Sequence, residues 1–253
     1  MEKNTLTLGG DEKIAVLTLS RPHCLDIAGK HALLDAVNSL AERPNLRALI
    51  IAATDAQAWL VNVAELVDMT PAEAGTFSHA GHRLADALAD LPVPVIAAVD
   101  GVALGGGCEF VLACDITLAG TMARFGQIEA MGGVLPAFGG TWRLARRIGH
   151  QRAMQMLFTA EVVDAQTARS IGIALDVVPS AELMARAQAL AAQITNVSRQ
   201  SVATIKRVVK AGTNLAPAAI SALEEEAFAS LFGTDDQRGR MRTFLAGQKR
   251  NGS

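Results

Sequence analysis

Long apolar runs, a surplus of either charge and paired cysteine motifs are all missing from this chain of 253 residues. Charged residues or glycine interrupt every apolar stretch before it reaches spanning length, so no transmembrane helix is expected. Lys and Arg number 23 against 25 Asp and Glu, a formal charge of -2. Mixed along the chain, these charges give neither a basic face for nucleic acid nor a polybasic membrane anchor. The densest basic cluster, Lys206, Arg207 and Lys210, reads as a solvated helix face. Cys24, Cys108 and Cys114 have no CxxC or zinc-ligand spacing and read as reduced core thiols. His79 and His82 lie three apart on an expected helix, but no third ligand is suitably spaced, so no metal site is expected. There is no GxSxG element, P-loop or dinucleotide fingerprint; the last fails at Phe110, where its third glycine belongs after Gly105 and Gly107. The N-terminal MEKNTLTLGGDEK lacks the apolar run of a secretory signal and the Arg-rich character of a transit peptide, which predicts a soluble cytoplasmic protein.

What is present is an alternation of strand and helix signals. Residues 5–8 and 14–19 alternate in hydropathy around GGDEK and predict a hairpin, and Arg21-Pro22 ends it. A helix is expected over 29–42, a strand over 46–52, helices over 64–69 and 74–91, and a strand over 93–99. Further strands are expected at 116–119 and 175–178. Between them fall helices near 139–148 and 151–157 and a short one bracketed by Asp164 and Gly172. Beyond Pro179 only helices are expected, over 181–194, 198–211, 217–232 and 235–245. The chain therefore reads as an α/β core over residues 1–190 and a helical C-terminal segment over 191–253.

The stretch ALGGGCEFVLACD, residues 103–115, carries the chemistry. Three successive glycines, Gly105, Gly106 and Gly107, are costly inside a helix but suit a turn that opens one. The first N–H groups of a helix lack internal partners and sit at the positive end of its dipole, so they can hold a substrate oxygen gaining negative charge. Glu109 falls in the first turn of that helix, and Glu129, in FGQIE, arrives after one expected short strand. Two carboxylates beside an oxyanion site suit general acid and base work on carbon next to a carbonyl. Each glutamate alone has an ordinary structural reading as well, since the dipole favours acids in a first turn.

The segments VPVIAAVDGVALGGGCEFVLACDITLAG and ARFGQIEAMGGVLPAFGGTWRLARRIG together resemble the enoyl-CoA hydratase/isomerase (crotonase) family, with few gaps over residues 14–244. The resemblance implies a spiral of ββα units, a C-terminal helical segment that builds homotrimers or hexamers, and an acyl-CoA thioester as substrate. Glu109 and Glu129 match the two glutamates of the family's hydratases, and keeping both favours water addition. Gly106 matches one backbone donor of the oxyanion hole. The other comes from a motif close to FxAGADL, here LVNVAEL, which puts Asn62 at the donor and Val63 where glycine usually stands. Because valine tolerates positive φ poorly, that loop is expected in the β region or shifted.

RPHCLDI matches the segment that binds CoA, assigning His23, Cys24 and Leu25 to it together with the carbonyls around Leu60 and Asn62. Asp26 replaces an asparagine there and is expected to point away from the phosphates. Relatives often end in a Pro-x-Phe-like tail where this chain ends KRNGS; Lys249 reaching a phosphate is one reading there, and a solvated tail is the plainer one. Phe138 and Trp142 stand where relatives have smaller residues. Either they shape the acyl pocket or they fill the core of a chain that has no tyrosine. No cofactor is expected, since CoA is part of the substrate. Rival readings are an enoyl-CoA isomerase, a specialised acyl-CoA dehydratase, and a non-catalytic acyl-CoA-binding protein.

Overall fold

The computed structural model describes residues 6–251. Thr5 and the side chain of Lys249 lie outside the described part. The order is β1 (Leu6–Gly10), β2 (Ile14–Leu19), α1 (Ile27–Ala41), β3 (Ala48–Ala53), α2 (Pro71–Asp90), β4 (Val95–Val99), β5 (Val102–Leu104), α3 (Gly106–Ala113), β6 (Ile116–Gly120) and β7 (Arg124–Gly126). There follow α4 (Gly140–Ile148), α5 (His150–Thr159), β8 (Val162–Asp164), α6 (Ala165–Ile171), β9 (Asp176–Val178) and α7 (Leu183–Thr195). Close contacts divide the chain after Ile194. The second unit holds α8 (Arg199–Gly212), α9 (Pro217–Leu231) and α10 (Asp235–Asn251).

In the first unit, β1 and β2 form the expected antiparallel hairpin, and β2, β3, β4, β6 and β9 then run parallel in one six-stranded sheet. A parallel sheet needs cover on both faces, which is why β3 reads ALIIAA and β4 VIAAV with no polar alternation. Leu49, Ile51, Val95, Ala97 and Val99 face the large core shared with α1, α2 and α3. Ile50, Ile96, Ala98 and Leu118 face α7, through Leu183, Ala187 and Ala191.

A second sheet of three strands, β5, β7 and β8, was not foreseen from the sequence. Each of its strands has three residues. It corrects one count, since two strands, β6 and β7, separate Glu109 from Glu129 rather than one. The repeating unit is now visible. β4 and β6 go into the large sheet, β5 and β7 into the small one, and a helix closes each turn. The helix expected over 64–69 is instead a three-residue 3-10 turn, Val63–Glu65, capped by Asn62. Pro71 opens α2, and the residue before a proline is steered out of the helical region, so the two cannot merge.

Candidate active site

β5 delivers the chain to Gly105, whose φ of +54° and ψ of -129° suit only glycine. From there α3 begins at Gly106. A Cβ on Gly107 would lie 1.5 Å from the Trp59 carbonyl oxygen, and one on Gly106 would lie 2.7 Å from Cγ2 of Val61. The glycines therefore let residues 59–61 lie directly against the first turn of α3. This brings Asn62 beside Gly106. Asn62 adopts φ -77° and ψ 99°, the β region anticipated from Val63, and Val63 has no positive φ. Its side-chain oxygen accepts the Ala64 N–H at 3.3 Å, so the amide caps the 3-10 turn. Neither the Gly106 nor the Asn62 N–H has a backbone acceptor among the described residues.

Glu109 is 1 % exposed. Its Oε1 accepts the N–H groups of Phe138 at 2.7 Å and Gly140 at 2.6 Å, and its Oε2 accepts that of Ala137 at 3.2 Å. The loop that supplies them is pinned by Arg143, which donates to the Phe138 carbonyl at 2.5 Å and to Asp86 at 2.9 Å. Burial raises the Glu109 carboxyl, while these backbone donors and Arg143 pull it down. With two donors on one oxygen and one on the other, Oε2 keeps a free lone pair for a water.

Glu129 starts a one-turn 3-10 segment that Gln127 and Ile128 join to β7, and its Oε1 would stand 3.0 Å from a Cβ on Gly105. Burial and then the charge of Glu109 push its carboxyl up to about 7. The small sheet sets the separation of the two carboxylates. Leu104 pairs with Gly126, and the Gly105 N–H donates to the Gly126 carbonyl at 2.9 Å. Gln127 is buried beside both. With its amide nitrogen turned toward Glu129, it donates to the two carboxylate oxygens at 3.2 and 3.1 Å. Gly140 leaves room for it, because a Cβ there would meet Gln127 and Glu109 within 3 Å. Sequence reading passed over Gln127. The available signal was an amide two residues before a candidate acid, just past a strand.

The segment assigned to CoA is drawn to the same place. The N–H groups of His23, Cys24 and Leu25 donate to the carbonyls of Gln57, Ala58 and Leu60 at 3.0, 3.0 and 3.3 Å. His23 takes a positive φ of 53°, and its Nδ1 lies 3.3 Å from the Val61 carbonyl oxygen. Asp26 caps α1 through the Gly29 N–H at 2.7 Å and pairs with Arg21 at 2.6 Å, so its charge is already engaged. Cys24, Cys108 and Cys114 are buried and form no disulfide, and burial pushes the Cys108 thiol up to about 12. His79 and His82 gain no third metal-binding neighbour among the described residues.

Phe138 and Trp142 part company. Phe138 is buried, stacked on Phe110 with ring centroids 5.2 Å apart, and wedged against the glycine surfaces of Gly81 and Gly106. Trp142 is 41 % exposed under the guanidinium groups of Arg143 and Arg146. Neither lines the cavity of about 540 Å³ that opens between the start of α1 and the first half of α2, past Ile27, Met69 and Phe77.

A helix N-terminus with two converging carboxylates, mounted on stacked ββα turns, defines a class, and comparison with known proteins agrees. The sequence profile described as Enoyl-CoA hydratase/isomerase matches residues 9–251, and the chain belongs to that family. It is 35 % identical to a short-chain-enoyl-CoA hydratase of Clostridium acetobutylicum, covering 100 % of this chain and 98 % of that one. It is 34 % identical to a crotonyl-CoA hydratase of Syntrophomonas wolfei, covering 99 % and 98 %. The crystal structure of an enoyl-CoA hydratase from Bacillus anthracis superposes with a TM-score of 0.91 at 26 % identity, over 96 % of this chain and 97 % of that one.

Proposed function

We propose that the protein adds water reversibly across the C2–C3 double bond of a 2-enoyl-CoA, giving the 3-hydroxyacyl-CoA. The observation that carries this reading is the meeting of Glu109 and Glu129 at the Gly105–Gly106 turn, with unpaired N–H groups beside them. In this reading the thioester oxygen accepts from the Gly106 and Asn62 N–H groups, which draws electron density from C3. Oε2 of Glu109 orients a water and takes its proton as the oxygen attacks C3. Burial raises the Glu109 carboxyl, and its backbone donors and Arg143 offset part of that rise, which suits a base better than burial alone would. Glu129, pushed up to about 7, keeps a proton to give to C2. The two titrate as a coupled pair, so one acid and one base is the favoured state near neutrality. CoA arrives with the substrate, and the reaction as written needs no metal or redox group.

The same reading covers assembly and location. The second unit exposes Ile205, Val209, Phe228, Phe244 and Leu245, which supports burial between copies in a trimer or a pair of trimers. Buried thiols that form no disulfide suit a reducing cytoplasm. No helix among the described residues is long and apolar enough to cross a membrane.

The test is the loss of enoyl-thioester ultraviolet absorbance with crotonyl-CoA, run with the parent and with folded Glu129→Gln and Glu109→Gln proteins. Turnover by the parent and a fall of about a hundredfold or more in each variant are expected. Equal rates in all three proteins sink the assignment.

A further inference from the structure

The face of α1 that meets the core runs Lys30, Leu33, Leu34, Val37 and Leu40, the spacing of an apolar stripe. Its first member is a lysine, 1 % exposed. A lysine ordinarily buries its stem and leaves its head in water. Here Nζ has no hydrogen-bond partner among the described residues. It lies 3.1 Å from the centroid of the Phe77 ring and 4.8 Å from that of Phe138. Aromatic faces attract a cation, yet they replace only part of the hydration an ammonium gives up. Burial lowers Lys30 to about 8, so most of it still carries a proton at neutral pH. The charges of Glu65, Asp26 and Glu109 act on it from nearby, but each is otherwise engaged. Asp26 holds Arg21 and the Gly29 N–H, Glu65 accepts the Ile27 N–H, and Glu109 holds three backbone groups.

Lys30 belongs to the wall of the 540 Å³ cavity, with Ile27, Met69, Thr76, Phe77 and Ala80. One end of that cavity is the 3-10 turn capped by Asn62, through Glu65. Its Phe77 touches Phe138, ring centroids 5.2 Å apart, and Phe138 presses on Gly106. A thioester held at Asn62 and Gly106 thus has this cavity beside it for its acyl carbons. For a plain alkyl chain the lysine is a poor wall, because its buried ammonium lacks a hydrogen-bond partner among the described residues and the chain supplies no acceptor. A carboxylate at the far end of the acyl group supplies one, as a charge-assisted hydrogen bond where water competes weakly. The acids at the cavity's rim do not take that role. Glu73 accepts the N–H and hydroxyl of Thr70, and Asp68 is exposed to solvent.

We propose that Lys30 is a specificity-determining residue that selects enoyl thioesters whose acyl group ends in a carboxylate. The inference rests on the hydratase reading for the position of the thioester, but its test needs no turnover. Calorimetry compares unreactive saturated thioesters, glutaryl-CoA and adipyl-CoA against butyryl-CoA and hexanoyl-CoA, on the parent and on Lys30→Met. The parent is expected to bind at least one carboxylated thioester about tenfold or more tighter than its alkyl counterpart, the discrimination of one charged hydrogen bond. Lys30→Met is expected to cut that ratio by about tenfold. Equal affinities in the parent overturn the proposal, and this holds even if Lys30→Met fails to fold. An unchanged ratio in a folded Lys30→Met also overturns it, since a merely structural lysine lowers both affinities together. A protein that prefers the carboxylated thioesters but hydrates no enoyl-CoA leaves the proposal standing and removes the hydratase reading. One that hydrates crotonyl-CoA without such a preference does the reverse.

Discussion

Glu129 stands between two demands that pull in opposite directions with pH. As the proposed acid it must hold a proton, so hydration is expected to decline as pH rises through about 7. Folding feels the same group. Its carboxyl goes from an ordinary 4.5 to about 7 on burial, so the folded state binds the proton more tightly than the unfolded chain. That contribution is full below about 4.5 and is lost as pH climbs through about 7. Glu129→Gln, which never ionises, should therefore be more stable than the parent at pH 8, by on the order of 2 kcal/mol, with the gain fading at low pH. Urea midpoints at the two pH values decide it, and a gain that ignores pH refutes it. Gln127 adds a finer test. Its amide donates to the ionised carboxylate, so Gln127→Leu should push Glu129 higher and move the falling limb of the pH profile upward. A limb that stays put, or moves down, removes Gln127 from that role.

The elements carry the site through close approach of backbones more than through side chains. Gly107→Ala sets a methyl group 1.5 Å from the Trp59 carbonyl, and neither partner is a flexible side chain. It should displace residues 59–62, cost about 2 kcal/mol or more of stability, and abolish turnover with crotonyl-CoA. A denaturation midpoint matching the parent would contradict the packing. This is also where reading the sequence succeeds and where it stops. Asp164 and Gly172 announce α6, because a side-chain cap and a left-handed glycine act locally, and both are found doing so. The glycine turn before α3 was legible for the same reason. Helix α2 begins at Pro71 rather than near 74, and TPAE, a reciprocal cap between Thr70 and Glu73, was there to be read. The strands β5, β7 and β8 were not legible. Three residues carry no periodicity, and they are strands only because distant backbone pairs with them. Lys30 escaped notice because helical spacing marks which face a residue is on, while its type said surface.

At the scale of the molecule, both units leave some large apolar groups in the open. The first buries most of its own on the two faces of its main sheet, yet Met131, Leu135 and Phe158 are more than half exposed. The second leaves Phe228, Phe244 and Leu245 more than half exposed. If those groups meet other copies of the chain, Phe244→Glu should shift the sedimenting mass toward a single chain. A parent that already sediments as one chain, or a variant that keeps the parent's larger mass, counts against the arrangement.

The two glutamates also differ in what the fold would lose with them. Glu129 strains the folded state at neutral and alkaline pH, whereas Glu109 ties down residues 137–140 through three N–H groups that nothing else among the described residues satisfies. Truncating Glu109 orphans those donors, at about 1 kcal/mol or more apiece. A duplicated gene released from selection for this reaction can therefore discard its acid at once and be sturdier for it. Its base can go only after another side chain has learned to hold the loop. Descendants with new chemistry are expected to part with the residue at 129 earlier than the one at 109.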